Sequence, residues 1–149
     1  MIAAMLPATI AATAGTLVAA LIDARTGFIP DAVSRGTALV ALALAAASGL
    51  SAAAFAGAAA VGGMLLLLHL LTGERGLGLG DVKLGIAIGV GFGAPLGVIA
   101  LGAAFIAGGA YAIWLLATNR ARRGDAVRFG PFLAAGTLAA VLTPPEWLA

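Results

Sequence analysis

Charged residues interrupt the chain at only a few places, leaving uncharged and mostly apolar stretches at 1–22, 36–73, 84–119 and 129–145. One helix needs about 20 apolar residues to cross a bilayer, so each stretch can hold a crossing or more. Residues 1–22 read as one helix, with Ile2, Leu6, Ile10, Leu17, Val18, Leu21 and Ile22 on an alanine-rich background, stopping at Asp23. No basic segment precedes it, which argues against a cleaved signal peptide. The 36–73 run is long enough for two helices, at about 34–49 and 53–72, divided at Ser48-Gly49-Leu50-Ser51 where a tight turn fits. The 84–119 run divides at Gly93-Ala94-Pro95 into a short helix at about 81–93 and a longer one at about 96–118. Proline suits the first turn of the second, where its missing N–H is not needed. A last helix covers about 130–144 and stops at Pro144-Pro145. The pattern predicts an all-α integral membrane protein, a bundle of about six transmembrane helices forming a single domain over 1–149.

Composition removes the soluble alternative. Apolar residues make up 62% of the chain and charged residues 9%, whereas a water-exposed surface requires charge on about a quarter of positions. The mean hydropathy is +1.13. Abundant alanine and glycine fit helices packed closely through small residues. All eight basic residues fall in or beside the loops 23–35, 73–83 and 119–130. By the positive-inside rule those loops face the cytoplasm and both termini lie outside. A net charge of +2 is too small for a phosphate-binding face despite the pI near 9.9, so the bilayer and not nucleic acid is the expected partner.

The same scarcity narrows the chemistry. There is no cysteine and one histidine, His69, which excludes disulfides, thiol nucleophiles and Cys- or His-rich metal centres. His69 lies among leucines, where a packed or water-contacting helix residue is expected. Four of the six acids, Asp23, Asp31, Glu74 and Asp81, fall in the first two charged loops. Asp23 ends one apolar segment and Asp81 begins another at the same cytoplasmic edge. A helix over about 81–93 is roughly 20 Å long against a hydrocarbon core of roughly 30 Å, so Asp81 would start below the near surface. Two carboxyl groups close together in a low-dielectric site do not both ionise. One can take a proton from water as it attacks a peptide carbonyl while the other polarises the carbonyl oxygen. In Gly76-Leu77-Gly78-Leu79-Gly80-Asp81-Val82-Lys83-Leu84 the alternate glycines suggest a backbone that other residues would not tolerate, and close approach to the carboxylate.

Three segments together carry a resemblance. Asp23 is followed after six residues by Pro30-Asp31; Gly78-Leu79-Gly80-Asp81-Val82-Lys83-Leu84 has the form Gly-x-Gly-Asp-x-Lys-Leu; and Phe129-Gly130-Pro131-Phe132-Leu133 opens the last helix. In this order they resemble the type IV prepilin peptidases over nearly the whole chain. The resemblance implies an aspartic endopeptidase, free of cofactor or metal, that removes the basic leader of prepilin-like substrates at the cytoplasmic face of the inner membrane. It implies Asp23 and Asp81 as the catalytic pair and Gly78 and Gly80 as shaping the active-site loop. Lys83 matches a family lysine without an assigned role, and Asp31 matches the Pro-Asp acid, for which helix N-capping is the simpler explanation. The first span begins at residue 2 and the Cys-x-x-Cys motifs of many bacterial members are absent. The chain is therefore similar to the compact, peptidase-only branch, and methyltransferase activity is not expected. Presenilin-like proteases share Gly-x-Gly-Asp but place their other aspartate in a Tyr-Asp pair, whereas Ile22 precedes Asp23. A small transporter or channel subunit using the acids to bind a cation or proton is the alternative from a different class. The oligomeric state and the particular substrate are not legible.

Overall fold

The computed structural model describes residues 2–72, 77–120, 122 and 127–143; residues 73–76 with Glu74 and Arg75, Arg123, and the Pro144-Pro145 stop lie outside the described residues. The elements are α1 (Ile2–Thr26), α2 (Asp31–Ala47), α3 (Ser51–Gly57), a π-helical turn (Ala58–Gly62), α4 (Gly63–Thr72), α5 (Leu79–Ala117) and α6 (Gly130–Val141), with no strand among the described residues. Three helices are long and apolar enough to cross a membrane: Ala4–Thr26, Ser51–Thr72 (α3, the π turn and α4 in one rod) and Leu79–Ala117. The other two expected spans are shorter. α2 has 17 residues and α6 has 12, about 26 and 18 Å at 1.5 Å per residue.

Glycines set the helix ends. α1 runs past Asp23 to Thr26 and stops where Gly27 takes φ +71° and donates its N–H to Asp23 O at 2.8 Å. Asp23 therefore sits inside the last turn of α1 and does not end it. α2 begins at Asp31, three residues before the expected start, and after Ala47 is closed off by Gly49, also at φ +71°. There the Leu50 N–H donates to Ala45 O at 2.9 Å and the Gly49 N–H to Ala46 O at 2.9 Å, a Schellman turn at the predicted Ser48-Gly49-Leu50-Ser51.

The expected division of the long apolar run is a sharp break within α5. Gly93 has φ 70° and ψ 176°, outside the helical region. A Cβ on Gly97 would lie 3.5 Å from the Gly89 Cα, although eight helical residues would separate the two by about 12 Å along a straight axis. The chain thus folds back on itself at Gly93. Pro95 follows in the first turn of the second arm and cannot donate to Gly91 O four residues earlier. The Thr9 hydroxyl of α1 supplies that bond instead, 2.8 Å from Gly91 O.

Packing is the reverse of a soluble core. The buried residues are largely small, among them Ala12, Ala41, Ala45, Ala54 and Ala104, while Ile10, Leu70 and Ile106 are 60%, 71% and 76% exposed. Small side chains let backbones touch: a Cβ on Gly57 would come 1.9 Å from Gly89 O, and one on Gly89 would come 2.1 Å from Gly57 O. α5 lies at the centre and contacts every other helix. Buried Thr16 and Thr137 return their hydroxyl hydrogens to Ala12 O and Ala134 O of their own helices, and among the described residues no buried side-chain nitrogen or oxygen is left unpaired.

Candidate active site

The charged ends of α1, α2, α5 and α6 meet at one end of the bundle. Asp23 is brought there by the extra turn of α1 beyond its apolar stretch, and it is 6% exposed. Its Oδ2 accepts the backbone N–H of Gly130, the first residue of α6, at 3.0 Å. A Cβ on Gly130 would lie 2.7 Å from that same oxygen, so only glycine lets the helix start come this close. Two residues earlier, Arg128 donates from its guanidinium to Ala24 O in the last turn of α1. The 128–130 segment thus holds α1 on both sides of Asp23.

Asp81 stands differently. It is the third residue of α5 and half-buried, and its Oδ2 accepts the N–H of Gly78, the N-cap residue of its own helix, at 3.3 Å. Gly78 and Gly80 do not have the backbone expected of them, and Gly76 lies outside the described residues. Among the described glycines positive φ occurs at Gly27, Gly49 and Gly93, and Gly78 has φ −73°, ψ 151°, open to any residue. Gly80 does permit a close approach, but to Ile29 and not to the carboxylate: a Cβ there would meet the Ile29 Cβ at 3.2 Å. Gly80 lets the start of α5 lie against the loop between α1 and α2.

These elements enclose an open cavity of about 350 Å³ lined by Asp23 and Asp81 together, with Gly78, Gly80, Asp31 and Lys83 also on its wall. The two carboxylates, 58 positions apart in sequence, thus share the wall of one cavity. Phe28 and Leu79 complete the mouth, 65% and 47% exposed.

The N-capping role expected for Asp31 is corrected. Pro30 occupies the N-cap of α2 and no side chain caps the helix. Asp31 is the next residue, so its carboxylate points away from that duty and pairs with Lys83 Nζ at 2.5 Å and Arg35 Nη2 at 2.9 Å. This gives Lys83 a contact: it ties the start of α5 to the start of α2 across the cavity wall. Asp31 lies outside the three long apolar helices and is open to solvent. The Lys83 hydrogen bond outweighs partial desolvation and, with the charge of Arg35, holds its carboxyl below the ordinary value. The link is therefore intact at neutral pH and is lost as pH falls through that lowered value.

Three residues at this end had no assigned part in the site. Gly130 lay in a quoted motif, but only the fold shows that its N–H faces Asp23. Arg128 counted as a topology signal. His69 is a half-buried helix residue, and its Nδ1 lies 2.6 Å from Leu77 O, just before α5. Among the described residues no three His, Asp or Glu side chains gather into a metal-binding group.

The sequence profile of the type IV leader peptidase family matches residues 10–113, a stretch that contains Asp23, Asp31, Asp81 and Lys83. No curated protein and no solved structure matches the chain.

Proposed function

Because the chain belongs to the type IV leader peptidase family, we propose that it is an aspartic endopeptidase that removes the basic leader of prepilin-like precursors at the cytoplasmic face of the inner membrane. Family membership makes it a peptidase, and its long apolar helices make it a membrane protein. The observation that carries the finer reading is the meeting of Asp23 and Asp81, from α1 and α5, in one cavity at the charged end of an otherwise apolar bundle.

In this reading one carboxyl group of the pair holds a proton and the other is ionised. The ionised member takes a proton from water as the water oxygen attacks the scissile carbonyl carbon. The protonated member hydrogen-bonds the carbonyl oxygen, stabilising the charge that develops there. Collapse of the tetrahedral intermediate breaks the C–N bond, and the proton taken from water passes to the leaving nitrogen. Water is thereby divided between the two products, and no cofactor is required. The substrate's apolar helix lies against the exposed leucines and isoleucines of the bundle, and its leader remains in the cytoplasm. Exposed Phe28 and Leu79 at the cavity mouth support such lateral access. The accompanying topology has about six crossings, counting the two arms of α5 separately, with both termini outside.

The test is processing of a co-expressed prepilin-type precursor by Asp23→Asn and Asp81→Asn separately. Each is expected to lower the cleavage rate by at least about 100-fold. Normal processing by either variant would remove that residue from the pair. Ion or proton uptake into proteoliposomes that Asp81→Asn abolishes, with no precursor cleaved by the wild type, would replace the peptidase with a transporter.

A further inference from the structure

The lone histidine is the ionisable group that the proposed chemistry leaves unused. His69 stands in the last turn of α4 with its ring Nδ1 2.6 Å from the carbonyl oxygen of Leu77. A carbonyl oxygen only accepts, so Nδ1 must carry the hydrogen. The peptide unit that ends in Leu77 O begins, on its other side, with the Gly78 N–H, and that N–H donates to Asp81 Oδ2. Peptide units are planar with their C=O and N–H directed oppositely, so fixing the direction of one fixes the other. The Gly78 to Asp81 bond is long, 3.3 Å, and at that length its alignment depends on whatever holds the peptide plane. Gly78 itself does not restrain the plane, since glycine admits the flipped orientation at little expense. The Leu77 side chain is buried at 6% exposure, and His69 supplies the polar contact that the carbonyl makes.

We propose that His69 is a positioning residue for Asp81, acting through the Leu77–Gly78 peptide. The inference rests on Asp81 belonging to the catalytic pair. His69 orients the peptide, the peptide N–H orients the carboxylate, and a hydrogen bond on the carbonyl also makes the N–H a better donor. The two aspartates have one kind of contact in common, since each accepts a glycine backbone N–H, from Gly130 for Asp23 and from Gly78 for Asp81.

Two measurements test it. As the chain has one histidine, 15N-histidine labelling of the purified full chain gives a single imidazole, expected with hydrogen on Nδ1. A bare Nδ1 would overturn the contact. The second is precursor cleavage by His69→Asn, His69→Gln and His69→Leu, with Asp81→Asn alongside. The Asn amide nitrogen sits where Nδ1 sits, so H69N keeps kcat within about threefold of wild type, whereas H69L and H69Q lose about tenfold in kcat with KM changed less than twofold. Wild-type kcat in H69L or H69Q, or a loss confined to KM, overturns the positioning role. If H69L does not fold, the contrast between H69N and H69Q decides. An active D81N would take down the assignment of Asp81 and this inference with it; an inactive D81N beside a fully active H69L takes down this inference alone.

Discussion

The two aspartates at the cavity are held in opposite ways. Asp23 is inside a helical turn, 6% exposed, with its oxygen against the start of α6 and the next carbonyl of its helix bound by Arg128. Asp81 is half-buried in the first turn of its helix, after a glycine-rich approach, and its one hydrogen bond goes to its own N-cap residue. Long-range contacts fix the first. Local geometry orients the second, with one outside contact from α4. Under the proposed function, a cleft that admits a polypeptide and then aligns two acids around it can use one rigid wall and one adjustable wall.

That contrast can be broken from either side. The largest effect is expected at the rigid wall, where Gly130→Ala would put a Cβ 2.7 Å from the Asp23 oxygen. Misplacing one reacting group by about 1 Å lowers cleavage about 100-fold, measured as kcat/KM on a precursor with the protein still folded in detergent. Arg128→Met leaves Asp23 its Gly130 bond but frees Ala24 O, and a loss of about tenfold is expected in the same assay. At the adjustable wall, Gly80→Ala meets the Ile29 Cβ at 3.2 Å, a contact relieved by a shift of a few tenths of an ångström. A loss of about threefold to fivefold is expected there. An equal loss in G80A and G130A would erase the distinction between the walls. The smallest effect is expected for Lys83→Met, which removes a solvent-exposed ion pair with Asp31 and should change cleavage by less than about threefold, with little dependence on salt in the variant.

Much of the fold follows from local signals. The break at Gly93-Ala94-Pro95 and the turn at Ser48-Gly49-Leu50-Ser51 stand where the sequence places them, because Gly and Pro act through their own dihedrals and their own N–H groups. The errors lie where charge is read as a boundary. Asp23 looks like the end of a helix because it ends an apolar run, but the helix stops at the residue able to take positive φ, Gly27. Asp31 looks like an N-cap because an acid follows a loop, but Pro30 holds that place and Asp31 meets a lysine 52 positions away. Gly78 and Gly80 look conformational, while one caps α5 in an ordinary conformation and the other makes room for Ile29.

Composition and order along the chain are enough to name the solvent and nominate the candidates. With so little charge the bundle must face lipid, and Asp23 and Asp81 stand out as acids at the edges of apolar segments. These conclusions need only composition, periodicity and order along the chain. Which backbone N–H reaches Asp23, and what holds the peptide beside Asp81, came from tertiary structure. Gly130 meets Asp23 across 107 positions, and His69 reaches the peptide beside Asp81 from another helix. A hydrogen bond depends on distance and direction in space, and neither is written in the spacing of residues along a chain.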